Sequence, residues 1–207
     1  SDDLLDRCQA YHNCGRAYGG FKGSTPYFTR GGNFRMQQFQ AVILMQQFEK
    51  LVKETEHRGE NGDYLSAQLK QIPGIEPVRL PENSYPVWHL YPFRYDARQF
   101  NGLTRDQFTR AMGAEGIPCG GGYQEQYFDG LLDEAIASRG FQRLFSAERL
   151  KAYRDSFQEL KGNQQVCATT VGMFQSVLLA ERADMDRIVE AARKIQVHSA
   201  AIKKSMS

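Results

Sequence analysis

No stretch of this sequence approaches the roughly 20 consecutive apolar residues that a membrane-spanning helix needs. No apolar segment follows the acidic start Ser1-Asp2-Asp3 either, which argues against an export signal. An excess of one charge is also missing. Lys and Arg total 26 and Asp and Glu 24, a net charge of +2, so no global field draws the chain to nucleic acid or anionic lipid. Cys8, Cys14, Cys119 and Cys167 form no C-x-x-C pair, and His12, His57, His89 and His198 form no H-x-x-x-H pair. Zinc-ribbon, redox-motif and metal-site readings fall with them. The cysteines are therefore expected to be free thiols in a reducing cytoplasm. Repeats, low-complexity tracts and clean linkers are absent. The chain also lacks a starting methionine, and something upstream is expected to have been removed.

What is present reads as helix, strand, helix, strand and helices, an α+β domain. Residues 15–32 form a Gly-rich loop with four aromatics, Tyr18, Phe21, Tyr27 and Phe28, suited to a functional loop or a flexible lid. From Phe34 to about Ile72, apolar residues such as Ala41, Leu44, Met45, Phe48 and Val52 recur every three or four positions. This predicts one long helix, or two with a bend near Gly59 or Gly62. Tyr85 to Asp96 alternates as a strand, with Tyr85, Val87, His89, Tyr91, Phe93 and Tyr95 on one face. Thr104-Arg105-Asp106-Gln107 is a capping box. Residues 116–119 predict a short strand and 120–123 a turn. Residues 127–161 look helical and surface-like. Val171 to Leu179 is apolar without a clear period, and Asp184 is expected to cap a last helix striped by Met185, Ile188, Val189, Ala192 and Ile195.

Several segments follow one another in a recognisable order: DDLLDRCQAYHNCGR at 2–16, GGNFRMQQFQ at 31–40, HLYPFRYD at 89–96, AEGIP at 114–118 with Gly122-Tyr123, and DMDRIVEAARKI at 184–195. Together they resemble the DegT/DnrJ/EryC1/StrS family of pyridoxal 5'-phosphate (PLP) dependent sugar aminotransferases. The most specific element is G-x-N-x-R-M followed by a long helix. The strand HLYPFRYD resembles the branch acting on cyclitol and amino-sugar precursors. The resemblance implies the small C-terminal α+β domain of a fold-type I aminotransferase, with residues 1–35 as an interface loop region and 36–207 as the domain proper. It implies a homodimer whose sites are shared, and transfer of an amino group from glutamate or glutamine to a keto-sugar or keto-cyclitol through pyridoxamine phosphate. No nucleic-acid or membrane partner is implied.

The family's cofactor lysine, its ring-nitrogen carboxylate and its stacking group precede everything matched here, so no catalytic residue is assigned. A chain of this kind is expected to be inactive alone. Lys22 lacks the family's serine context and reads as a solvated loop lysine. Asn33 and Arg35 are the cofactor-binding candidates. An amide N–H and a guanidinium suit phosphate oxygens, and Gly31-Gly32 allow close backbone approach. Equally, Asn33 could cap the long helix while Arg35 pairs with a surface acid. His89 and Tyr123 are the substrate-binding candidates, each readable also as a packing residue. His12 and Arg16 could shape an entrance. Two rivals remain: a non-catalytic binding or regulatory member of the family, and an independent domain unrelated to PLP.

Overall fold

The structure, a computed structural model, describes residues 2–16, 30–128 and 130–206. Most of the Gly-rich loop, with Lys22 and the four aromatics at 18, 21, 27 and 28, lies outside the described residues. The chain divides into two compact units, 1–52 and 53–207.

In the first unit, α1 (Asp2–His12) carries an Asp3–Arg7 ion pair at 2.9 Å. Its C-terminal end is clipped to residues 32–34 by backbone hydrogen bonds. Gly32 N donates to Tyr11 O at 3.0 Å, Cys14 N to Gly32 O at 2.8 Å and Phe34 N to His12 O at 2.9 Å. The approach needs glycine at position 31, where a Cβ would sit 2.2 Å from the Tyr11 carbonyl oxygen. The Tyr11 and Phe34 rings stack at 5.8 Å beside this bridge. The long helix α2 (Gln38–Leu69) then begins, four residues later than its periodicity predicts, and runs without a break past Gly59 and Gly62. The division between the units falls inside it.

In the second unit, α2 buries Leu65 and Leu69 in the core. Its two glycines admit aromatic side chains. A Cβ at Gly62 would lie 2.4 Å from Trp88 Nε1, and one at Gly59 would lie 3.4 Å from the Tyr85 hydroxyl. Asn61, fully buried, donates from Nδ2 to the carbonyls of Leu178 and Ala180, both at 2.9 Å. Those bonds satisfy the 3-10 turn Gln175–Leu179 that precedes the last helix.

The sheet contains β1 (Ile75–Pro77), β2 (Leu90–Tyr95), β3 (Gly120–Gly121) and β4 (Thr170–Phe174) in the order β1-β2-β4-β3, all pairs antiparallel. Side-chain alternation along β2 sends Tyr91, Phe93 and Tyr95 into the core. They meet Phe108 and Met112 of α3 (Arg105–Ala114) and the stripe Met185, Ile188, Val189, Ala192 and Ile195 of α8 (Arg182–Ser205). Tyr95 stacks on Phe108 at 4.6 Å and donates its hydroxyl to Leu103 O at 2.8 Å. Between β3 and β4 the described residues form four short α-helices: α4 (Leu131–Ala137), α5 (Arg139–Leu144), α6 (Ala147–Ser156) and α7 (Lys161–Thr169). The architecture is α+β, as expected.

Three local expectations are corrected. The strand begins at Leu90, not Tyr85. Tyr85, Val87 and His89 are exposed ahead of it, because β4 supplies pairing partners only back to Leu90. The third strand is Gly120–Gly121, paired to Gly172 and Val171, and residues 116–119 lead into it. Ile117 N is instead held by Met112 O at 2.9 Å, and Pro118 has no N–H to offer a ladder. Finally, Glu181 is the N-cap of α8, and Asp184 sits at N3 with Oδ2 accepting from Glu181 N at 3.2 Å.

Candidate functional site

The alternation that sends Tyr91, Phe93 and Tyr95 inward turns Leu90 and Pro92 to the opposite face of the sheet. There they and Gly172 floor a cavity of about 1080 Å³. Its walls come from the Gly120-Gly121-Gly122 run on one side and from the segment holding Tyr127, Tyr153, Phe157 and Val166 on the other. Glycine at 122 is a steric requirement, since a Cβ would meet Thr170 side-chain atoms at 2.9 Å. A floor of strands with loops at its mouth is an ordinary place for a small-molecule site.

His89 and Tyr123, singled out from sequence, both line this one cavity. His89 occupies the exposed residue just before β2, and Tyr123 follows the third glycine, 69% exposed. Sequence reading missed Gln124, Asn163 and Tyr153, which line it too. Tyr153 and Asn163 sit on α6 and α7, which only tertiary placement brings to the sheet, and Gln124 follows the glycine run with no pattern of its own.

The walls are held by aromatic packing. Tyr127 lies 5.3 Å from Phe157, and Tyr153 meets Phe157 edge-on at 4.9 Å. Arg154 lies over the Phe157 ring at 5.3 Å and is ion-paired to Asp133. The Tyr127 hydroxyl is buried with no hydrogen-bond partner among the described residues. Burial pushes the Cys119 thiol up to about 11, so it is a neutral thiol at neutral pH and a poor nucleophile.

Asn33 and Arg35 lie in the first unit. Asn33 forms an isolated antiparallel bridge with Asn13, so it does not cap α2, which starts at Gln38. Its Oδ1 accepts from Arg35 Nε at 3.0 Å and from Arg35 N at 3.4 Å. Arg35 has no carboxylate partner among the described residues, contrary to the surface-pair alternative. Both residues are exposed. With the oxygen occupied, the amide nitrogen of Asn33 and the terminal nitrogens of Arg35 form a donor-only set, which fits a phosphate. His12 Nδ1 faces Gln9 O at 2.7 Å, inside its own helical turn. Among the described residues no group of three potential metal ligands occurs, and no helix is long and apolar enough to cross a membrane.

Comparison with known proteins places this geometry in a family context. Residues 1–136 match the model of the DegT/DnrJ/EryC1/StrS aminotransferase family. The match contains Asn33, Arg35, His89 and Tyr123 and ends before the DMDRIVEAARKI helix. A putative L-glutamine:3-amino-2,3-dideoxy-scyllo-inosose aminotransferase from Streptoalloteichus tenebrarius is 26% identical over 204 residues, covering 92% of this chain and 46% of the relative. Among solved structures, 3-amino-5-hydroxybenzoic acid synthase superposes with a TM-score of 0.65 at 17% identity, covering 96% of this chain and 48% of that one. A Bacillus subtilis protein, NtdA, with bound cofactor PMP superposes with a TM-score of 0.63 at 16% identity, covering 95% and 40%. The chain thus spans about half the length of the curated relatives it matches.

Proposed function

The chain belongs to the DegT/DnrJ/EryC1/StrS aminotransferase family, and from that premise we propose that it is part of a PLP-dependent aminotransferase. In this reading the amino group passes from glutamate or glutamine to a keto-sugar or keto-cyclitol. The observation that carries it is the family match over 1–136, which contains all four candidate site residues. The names of the relatives, glutamine-dependent cyclitol aminotransferases, support the choice of donor and acceptor.

PLP, when bound, supplies the electron sink and carries the amino group between donor and acceptor. The work of this chain is binding and orientation. Asn33 and Arg35 hold the cofactor's phosphate, and the Arg35–Asn33 hydrogen bonds set the amide so that its N–H faces the anion. His89 and Tyr123 hydrogen-bond hydroxyls of the acceptor ring and so fix which carbon is presented. The covalent anchor for the cofactor comes from the part of the relatives' length that this chain does not span.

Two measurements test this. The full-length protein, supplied with PLP, glutamine and a keto-cyclitol or keto-sugar, should yield the amino product by mass spectrometry. Failure with both acceptor types would reject the enzyme and favour the binding or regulatory reading. The 207-residue chain mixed with PLP and then gel-filtered should retain no visible absorbance from lysine-bound cofactor. A stoichiometric band would overturn the assignment of the anchor to another segment.

A further inference from the structure

The backbone bonds that clip α1 to residues 32–34 also fix which side chains stand together. Phe34 N donates to His12 O at 2.9 Å and Cys14 N to Gly32 O at 2.8 Å. These two bonds flank the antiparallel bridge between Asn13 and Asn33. That arrangement marks a non-hydrogen-bonded pair, in which the facing Cα atoms come within about 4.5 Å and both side chains share one face. Asn13 and Asn33 are therefore neighbours side by side. Alternation sends Phe34 to the opposite face, where its ring stacks on Tyr11 at 5.8 Å. Arg35 returns to the face of Asn33, and its Nε reaches Asn33 Oδ1 at 3.0 Å.

Asn13 is held in place by its own backbone. Its N–H donates to Gln9 O and Ala10 O at 3.1 and 3.2 Å, and its carbonyl accepts from Arg16 N at 3.2 Å. Cys14 and Gly15, inside that turn, have φ of 60° and 81°, and two such residues in succession reverse the chain directly after Asn13. None of these bonds uses the Asn13 side chain. Its Oδ1 is buried with no hydrogen-bond partner among the described residues, although Asn13 as a whole is only half-buried. The amide keeps its acceptor end inside, and Nδ2 is the end a ligand can reach.

We propose that Asn13 is a third phosphate-binding residue, donating from Nδ2 beside the Asn33 amide and the terminal nitrogens of Arg35 to the cofactor's phosphate ester. The inference rests on the reading that Asn33 and Arg35 hold that phosphate. A phosphate offers several acceptor oxygens, and two parallel amides next to a guanidinium give it donors from two segments of chain at once. The clip between α1 and residues 32–34 is what brings those segments together.

Equilibrium binding of pyridoxamine phosphate and of pyridoxamine to the full-length protein tests it. Neither forms an imine with a lysine, so their affinity ratio reports the non-covalent contacts to the phosphate. Asn13→Ala should lower that ratio by about tenfold, the loss of one hydrogen bond to a charged group. Asn13→Asp keeps the shape and the turn preference but sets a carboxylate against the phosphate, and should lower it by about a hundredfold. Pyridoxamine affinity should be unchanged in both variants, which also shows that each is folded. An asparagine that only shaped the turn would weaken both ligands alike. An unchanged ratio in Asn13→Ala and Asn13→Asp, or equal weakening of the two ligands, overturns the proposal. A variant with Asn33→Ala and Arg35→Ala separates the two readings. If it lowers the ratio and the Asn13 variants do not, Asn13 is excluded and the phosphate reading stands. If none of the variants lowers the ratio, the phosphate reading falls and this inference with it.

Discussion

Gly59 and Gly62 share a helix, and their residue type alone does not distinguish them. In a helix interior, glycine costs about 1 kcal/mol relative to alanine where a Cβ has room. At Gly59 a Cβ meets the Tyr85 hydroxyl at 3.4 Å, ordinary contact, so Gly59→Ala should stabilise the chain by up to about 1 kcal/mol. At Gly62 the same Cβ would lie 2.4 Å from Trp88 Nε1. Trp88 is buried and packs on Tyr91 at 5.1 Å, so it has little room to retreat. Gly62→Ala should destabilise by about 1–3 kcal/mol, the usual cost of overpacking. Urea titrations followed by Trp88 fluorescence compare the two directly. Opposite signs are expected, and a stabilising Gly62→Ala would mean that the indole does not rest on the helix. The same positions show what sequence could not tell. The sequence leaves open one long helix or a bend at either glycine; the helix is unbroken, and the glycines are where Tyr85 and Trp88 approach it.

Elements set by their own residues were legible, and elements set by a partner were not. The Thr104–Gln107 capping box formed as written, with Gln107 N donating to Thr104 Oγ1 at 3.2 Å and Thr104 N to Gln107 Oε1 at 2.9 Å. The apolar stripe of α8 is likewise buried as its spacing predicts. The start of β2 and the identity of β3 depended on the length and position of β4, which no local pattern encodes. His89 and Tyr123 could be singled out, but Asn163 of α7, which lines the same cavity, could not, for the same reason. The tie between α2 and β2 gives a pH test. Tyr91 shares a 2.8 Å hydrogen bond with Ser66 of α2, and burial pushes its phenol up from 10.0 to about 12. The folded state therefore keeps its proton where the unfolded chain loses it. The stabilisation is whole below pH 10 and is lost as pH rises from there to about 12. It amounts to about 2–3 kcal/mol, at about 1.4 kcal/mol per pH unit. Urea midpoints should fall across that window, and Tyr91→Phe should make the fall shallower by that amount. An unchanged slope in the variant would assign the alkaline loss to other groups, such as Cys119.

At the scale of the whole molecule, the first half of α2 is unusual. Phe39, Met45 and Phe48 are 61%, 67% and 71% exposed, and exposed apolar patches of this kind mark surfaces that meet another surface. The chain also spans only 46% of its relative from Streptoalloteichus tenebrarius. Both facts fit a site assembled from more than one piece of protein, and that arrangement has a counting test. If Asn33 and Arg35 serve the partner subunit's cofactor across a twofold axis, each site takes its lysine from one subunit and its phosphate contacts from the other. One full-length variant is made without the cofactor lysine, and another carries Asn33→Ala with Arg35→Ala. Each should be nearly inactive as a homodimer, because every lost charge-assisted hydrogen bond costs about 1.5–3 kcal/mol. After equal mixing, unfolding and refolding, a mixed dimer holds one site with both defects and one with neither. Random pairing then restores about a quarter of wild-type sites. If Asn33 acted within its own subunit, every site in the mixed dimer would keep one defect and no activity would return. Native mass spectrometry establishes that mixed dimers formed. With that established, absence of recovery rejects the shared site and confines the Arg35–Asn33 pair to its own subunit.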